Sequence, residues 1–478
     1  MTAKDTREEL SLLVVDLDGT LIRSDTLFEC FWAALAETWR AVPVAVRGLW
    51  RGRAALKRDL AALCALDPAH LPYNAVVLDH IRDWRASGGH AVLVTAADQA
   101  IAERIADHLG LFDAVHGSDG AVNLKGPEKA ALIAQRYGGT PYAYIGDSAA
   151  DLPVWEGARR AITVDAPAEL RRRLEAAGGA VRHLESGAGH AYLAALRPHQ
   201  WLKNLLVFIP VVAAHAVAPA VILQAVLAFA AFCLVSSAGY IFNDLMDLRA
   251  DRMHPRKAQR PLAAGRVPIA HGTAMMPLLL LAGLGLAAFG GAALLGLIAG
   301  YFVLTVTYSL TLKRIAVADI CTLAGLYTMR ILAGGVATEL VPSVWLLAFS
   351  MFFFVAMAAI KRQAELVDLF QRDMTETEGR GYTVADLPVV ARVAIAAGYV
   401  SVLVLALYLD APAVQDLYGA PWLLWGICLV LLYWVTRIAL VTGRGQMHDD
   451  PVVFAMHDRT SLLCLILIGI FVVGASLL

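Results

Sequence analysis

Four short stretches in the first third of the chain carry residues able to work on a phosphate group. "VVDLDGTL" (14–21) places Asp16 and Asp18 two positions apart, so on a strand both carboxylates leave the same side, and Gly19 lets the chain turn away beneath them. "AVLVTAAD" (91–98) brings a hydroxyl, Thr95; "NLKGPEKAALI" (123–133) offers Lys125 and Lys129; "YIGDSAADLP" (144–153) adds Asp147 and Asp151. Phosphoryl transfer needs this set: a carboxylate nucleophile, a carboxyl to move protons, a hydroxyl and an ammonium for the phosphate oxygens, and acidic ligands for Mg²⁺. Asp98 is expected to cap a helix rather than to catalyse.

A second acidic cluster lies in "NDLMDLRADRMHPRKAQRPLAAGR" (243–266). Asn243, Asp244, Asp247 and Asp251 are spaced to share one face of a helix continuing out of an apolar segment. Like charges so placed need cations, and Mg²⁺ carrying a diphosphate answers both charges. Arg252, Arg256, Lys257, Arg260 and Arg266 follow and suit phosphate oxygens. A loop that only touches anionic lipid would account for the arginines and leave the aspartates unexplained.

The elements that must position these groups divide the chain in two. With 478 residues, 58% of them hydrophobic, the chain is too long for one ordinary domain and too apolar to be wholly soluble. Residues 1–177 alternate β-like runs with helical stretches from residue 10 onward, which predicts an α/β domain with a parallel sheet. The stretch of about 25–88 lacks a strand and is expected to be a helical cap, and the glycine-rich residues 178–191 a linker. From 192 to 478 nine apolar segments long enough, or nearly so, to cross a bilayer predict an all-α membrane bundle. The joins rich in Lys and Arg alternate with joins that have none, so the basic loops and the N-terminal domain are expected on the cytoplasmic side of a bacterial-type inner membrane. No apolar secretory segment occupies the first 25 residues. A net charge of −1 points to no nucleic-acid partner, and the six scattered cysteines are expected in cores, not in disulfides or zinc sites.

The four ordered motifs resemble the haloacid dehalogenase superfamily of phosphohydrolases. The resemblance implies Asp16 as nucleophile, Asp18 as general acid and base, Thr95 and Lys125 as the phosphate clamp, and Asp147 with Asp151 at Mg²⁺; Asp16 and Asp18 join the metal site. Lys125 is preferred to Lys129 because relatives with a helical cap carry a "KG" pair here. The NDxxDxxxD pattern in a multi-span domain resembles the UbiA superfamily of intramembrane transferases, whose Asp-rich loops bind Mg²⁺-diphosphate; this implies Asp244, Asp247 and Asp251 as metal ligands. The loop "KRQAELVDLFQRDMTETEGRGY" (361–382) lacks the second DxxxD of members that prenylate aromatic rings, since Asp368 and Asp373 are wrongly spaced. With "RPHQWLKN", "YSLTLKRIAVADI" and "RILAGGVA" it resembles instead the decaprenyl-phosphate phosphoribosyltransferase branch.

That resemblance implies phosphoribosyl diphosphate as donor and a polyprenyl phosphate lipid as acceptor, in the manner of a cell-wall arabinan precursor. Lys203, Asn243, Arg252, Arg260, Tyr308, Lys313, Arg314, Lys361, Arg362 and Tyr382 are the expected substrate-binding residues. Arg330, deep in an apolar segment, is expected either to bond helix carbonyls or a carboxylate such as Glu365, or to bind substrate; Asp319 is a possible metal or sugar ligand. The expected activity is bifunctional: transfer of 5-phosphoribose to the lipid, then removal of the 5-phosphate by the soluble half. The rivals are an aromatic prenyltransferase, a regulated transporter, and a phosphatase with an unrelated substrate.

Overall fold

The computed structural model describes residues 10–478 except 65, 120, 121, 188, 190, 376–379, 448 and 449, so two positions of the expected linker and Gly379 of "GRGY" lie outside the described residues. It divides into two compact units, Met1–Leu196 with Ile241–Met275, and Arg197–Tyr240 with Met276–Leu478.

The first unit contains six parallel strands, β1 (Leu12–Val15), β2 (His90–Asp98), β3 (Ala114–Ser118), β4 (Tyr142–Gly146), β5 (Arg160–Val164) and β6 (Ala180–Leu184), in the order β3-β2-β1-β4-β5-β6. All four residues of β1 are buried, as a central parallel strand covered on both faces requires. Their side chains alternate between two cores, Leu13 and Val15 on one face and Leu12 and Val14 on the other. The chain runs outward from β1 through β2 to β3, then returns to β4 and leaves the other way. This reversal opens a crevice at the carboxyl ends of β1 and β4, the usual place for a ligand in such sheets. Asp16 stands there, its N–H donating to the Ile145 carbonyl at 3.0 Å.

Between β1 and β2 lie the helices Thr26–Glu37, Ala41–Arg51, Arg53–Leu63 and Ala75–Ala86, with a short 3-10 turn at Pro68–His70. Asp98 caps the helix Gln99–Leu109, accepting from Ala100 N at 3.0 Å. Part of the expected linker is not a linker: residues 180–184 pair with β5 as an edge strand. Only one of those five residues is fully buried, so the strand carries almost no apolar pattern to read.

Eight helices among the described residues are long and apolar enough to cross a membrane, from Pro219–Met246 to Arg459–Leu477. The ninth expected span, near 201–218, does not form one. It is a 3-10 stretch, Pro198–Phe208, followed by the short helix Ile209–Ala213. Pro198 and Pro210 remove backbone donors, and Asn204 turns its amide to Ser236 Oγ (3.2 Å). Five cysteines are buried and Cys321 is exposed; all six are free.

Candidate functional site

The crevice holds the first acidic cluster. Gly19 has φ +74°, and a Cβ there would lie 2.5 Å from Asp147 Oδ2, so glycine is what lets the loop after β1 meet the tip of β4. Oxygens of Asp16, Asp147 and Asp151 all fall within 4.8 Å of one another. Asp151 is held by Tyr144 OH (2.7 Å) and by the Lys129 ammonium (3.3 Å), which also reaches Asp16 Oδ1 at 2.9 Å. Burial pushes the Asp16 carboxyl up to about 6 despite Lys129, and burial with the charges of Asp16 and Asp151 pushes Asp147 to about 8. Three desolvated carboxylates sharing one ammonium have too much negative charge for their surroundings, so the donor set fits a hard divalent cation such as Mg²⁺.

Asp18 turns the other way. It accepts from Thr26 N at 2.8 Å and Thr26 Oγ1 at 3.2 Å, and burial followed by the charge of Asp25 raises its carboxyl to about 7. A carboxyl that keeps its proton near neutrality can protonate a leaving oxygen. Thr95 is fully buried beside a register shift in β2 and accepts from Ala97 N at 3.0 Å; the cavity wall at this point is Ala96.

The two lysines part company. Lys129, in the first turn of the helix Pro127–Tyr137, is the one against the carboxylates, whereas Lys125 is exposed on the wall of the same cavity. Sequence reading also missed Lys57, which comes from the helix Arg53–Leu63 and donates to the Ala96 carbonyl at 2.5 Å. Its place in an exposed-looking basic run gave no signal. Together these residues line a cavity of about 1240 Å³ whose wall also includes Gly265 and Arg266, at the end of the Asp-rich segment, and His271 just beyond it.

The Asp-rich segment belongs to the same compact unit. It is not one continuous helix: the helix Pro219–Met246 gives way at Asp247 to a short helix, Leu248–Met253. Arg260 gathers Asp244 (3.2 Å) and Asp251 (2.6 Å), and Asn243 donates to Asp247 at 3.0 Å. Burial raises Asp251 to about 6, against the pull of Arg260. Among the described residues these aspartates form no group as close as that around Asp16. Arg252, expected at the substrate, instead grips Glu29 through both terminal nitrogens (3.0 and 2.6 Å) and gives its Nε to the Ala263 carbonyl.

In the second unit the cations gather around three carboxylates. Asp450 takes Lys203 at 2.7 Å and Lys361 at 3.3 Å; burial alone would raise its carboxyl, and the two ammoniums outweigh it and hold it below the ordinary range. Asp319 is fully buried and takes Arg362 at 2.7 Å, Arg380 at 3.6 Å and the Tyr308 hydroxyl at 2.7 Å, while Glu365 pairs with Arg362 and, at 3.4 Å, with Arg380. Tyr382 supports this cluster, lying under Arg362 and accepting from Val317 N at 2.8 Å. Lys313 is buried and Arg314 exposed. Asn204 Oδ1 (2.8 Å), the Leu326 carbonyl (2.6 Å) and Tyr301 OH (2.8 Å) take the nitrogens of Arg330, a helix carbonyl as expected, and among the described residues Glu365 is not one of these partners. Asp450 and Arg380 were missed; both sit in polar loops where nothing in the spacing marks one charge above its neighbours.

A model of the UbiA prenyltransferase family matches residues 205–458, more than half of the chain. The chain belongs to the UbiA prenyltransferase family. A haloacid dehalogenase-like hydrolase model matches residues 13–156, so a UbiA membrane domain is joined here to a haloacid dehalogenase-like domain. Protein y4nM of Sinorhizobium fredii is 39% identical over 463 residues, 94% of this chain and 88% of that one. The nodulation protein NoeC of Azorhizobium caulinodans is 36% identical over 58% of this chain and 90% of its own. The decaprenyl-phosphate phosphoribosyltransferase of Corynebacterium glutamicum is 40% identical over 178 residues, 36% of this chain and 54% of that enzyme. As a UbiA protein with eight such apolar helices among the described residues, the chain is a multi-pass membrane protein.

Proposed function

We propose that the chain makes a lipid-linked ribose in two steps. In the UbiA domain a phosphate oxygen of a polyprenyl phosphate attacks C1 of phosphoribosyl diphosphate. The C1–O bond to the diphosphate breaks, and diphosphate leaves. In the α/β domain the Asp16 carboxylate attacks the 5-phosphate of the product, and Asp18 donates its proton to the departing ribose oxygen. Polyprenyl-phosphoryl-ribose leaves at that step, and Asp18 then takes a proton from the water that hydrolyses the aspartyl-phosphate, releasing inorganic phosphate and restoring the Asp16 carboxylate. Lys129, with Lys57 and Lys125 on the cavity wall, holds the phosphate oxygens.

Mg²⁺ would be held by Asp16, Asp147 and Asp151 and would neutralise phosphate charge there; the aspartates 244, 247 and 251 would hold the diphosphate's cation. Lys203, Lys361, Arg362 and Arg380 are cations for the remaining phosphates, released from Asp450, Asp319 and Glu365 as anionic substrate arrives. The basic loops support a cytoplasmic face for both reactions.

One observation carries the pairing of the two reactions. The cavity over Asp16 is walled in part by Arg266 and its neighbours, the continuation of the Asp-rich segment, so one compact unit serves both phosphate-handling motifs. The likeness to decaprenyl-phosphate phosphoribosyltransferases supports the choice of substrates. The test is diphosphate release by the purified chain. It is expected with phosphoribosyl diphosphate plus polyprenyl phosphate; release only from polyprenyl diphosphate plus an aromatic acceptor would overturn the assignment.

A further inference from the structure

The helix Ala41–Arg51 presents three distinct faces. One is packed down: Gly48 is buried, and a Cβ there would sit 2.7 Å from Leu56 Cδ1 and 2.9 Å from Leu56 Cα of the helix Arg53–Leu63. Ala41 is buried on the same side. This close approach fixes the roll of the helix. At about 100° per residue, Val42, Val46, Leu49 and Trp50, with Trp39 just before the helix, then fall in one stripe on a different side. All five are exposed, Trp39 by 74%, Leu49 by 68% and Trp50 by 89%. Arg40, Arg47 and Arg51 form a third stripe along its flank, and Arg53 comes next. The helix has no acidic residue, and Arg51 finds its partner, Asp59 at 3.3 Å, on the next helix.

Five large apolar side chains in one exposed stripe are not scattered surface residues. Aliphatics between two tryptophans, with arginines along one edge, make up a helix that lies in the plane of a membrane interface. We infer that residues 39–53 form an interfacial anchor: Trp39, Val42, Val46, Leu49 and Trp50 enter the acyl boundary of an anionic bilayer, and the four arginines meet its phosphates. The chain spans a membrane, so a bilayer is always tethered to it at high effective concentration. The flank, with four arginines and no acidic residue on the helix itself, selects anionic lipid over a neutral partner. The inference rests on the membrane family, not on the substrates proposed above.

The test uses the full chain in nanodiscs, with exposed Cys321 replaced by Ser and a spin label on a single introduced cysteine at Val46, Arg47 or Leu49. In phosphatidylcholine with phosphatidylglycerol, labels at 46 and 49 are expected about 5–10 Å below the phosphates and shielded from an aqueous nickel relaxant, with the label at 47 in water. Both should lie shallower in phosphatidylcholine alone. Labels at 46 and 49 as open to nickel as that at 47 in both lipids overturn the inference. So does broadening between labels that grows with chains per disc, which would assign the stripe to a second copy. A label-free check is quenching of native fluorescence by brominated lipid, which should fall in the Trp39→Phe/Trp50→Phe chain; an unchanged quenched fraction overturns the inference.

Discussion

Replacing Lys129 by Met tests which lysine serves the α/β site. The Lys129 side chain is 3% exposed and lies 2.9 Å from Asp16, 3.3 Å from Asp151 and 2.8 Å from Tyr144 OH. Met keeps most of its volume and removes the only ammonium within contact of those carboxylates among the described residues. Leaving a buried charge without its partner costs about 3–5 kcal/mol. For a unit of this size, each kcal/mol moves the melting midpoint by about 2–4 °C, so the loss should be roughly 6–20 °C. Millimolar Mg²⁺ answers the same charge, and by linkage should raise the midpoint of the variant more than that of the native chain. Hydrolysis of a phosphate monoester should fall by about 10²–10³, the usual effect of losing one charge-stabilising donor. Lys125→Met, at an exposed position, should stay within about 0.5 kcal/mol of native stability. Thermal unfolding in nanodiscs with and without Mg²⁺, together with phosphate release, provides both readouts. A Lys129→Met chain as stable and active as the native one, with Lys125→Met the damaged variant, would refute the reasoning.

Gly19→Ala should lose hydrolysis while diphosphate release persists, because a Cβ 2.5 Å from Asp147 Oδ2 at φ +74° costs about 1–3 kcal/mol of strain at that site; equal loss of both activities would contradict this. Glu29→Gln should strand Arg252 and cost about 3–5 kcal/mol, and Arg252→Met added to it should cost little more; hydrogen exchange over residues 248–266 measures the coupling, and simple additivity would deny the pair its role. His80 is held down to about 4 by burial and by Arg182 and Arg160, with Asp83 opposing. The folded chain therefore binds fewer protons there than the unfolded chain, and the His80 contribution, complete above pH about 6.5, is lost as pH falls toward 4. Melting midpoints in EDTA from pH 7 to 4.5 should drop less for His80→Asn than for the native chain; parallel curves would remove His80 as the cause.

The strand-tip aspartates were legible because their chemistry comes from local spacing: two residues apart on β1, with a glycine whose φ the turn demands. The apolar helices were legible from length alone. What escaped depends on how segments meet. Lys129 faces the carboxylates because the helix beginning at Pro127 turns its first turn inward, and neither lysine's neighbours encode that direction. Arg252 looked like a phosphate ligand, yet Glu29, 223 residues earlier, lies against it. β6 escaped because an edge strand need bury only one residue, and the segment at 201–218 failed as a span because its prolines and Asn204 divert a run whose composition is apolar enough. Arg330 was recognisable as a costly buried cation, but its partners, Asn204 and Tyr301, come from two other segments.

The α/β domain acts, in this scheme, on what the membrane domain makes. Mass spectrometry of lipids formed by the purified full-length chain from phosphoribosyl diphosphate and polyprenyl phosphate, compared with the Asp16→Asn chain, asks this directly. The native chain should yield polyprenyl-phosphoryl-ribose and the variant the same lipid heavier by one phosphate. Identical lipid products from both chains would contradict it.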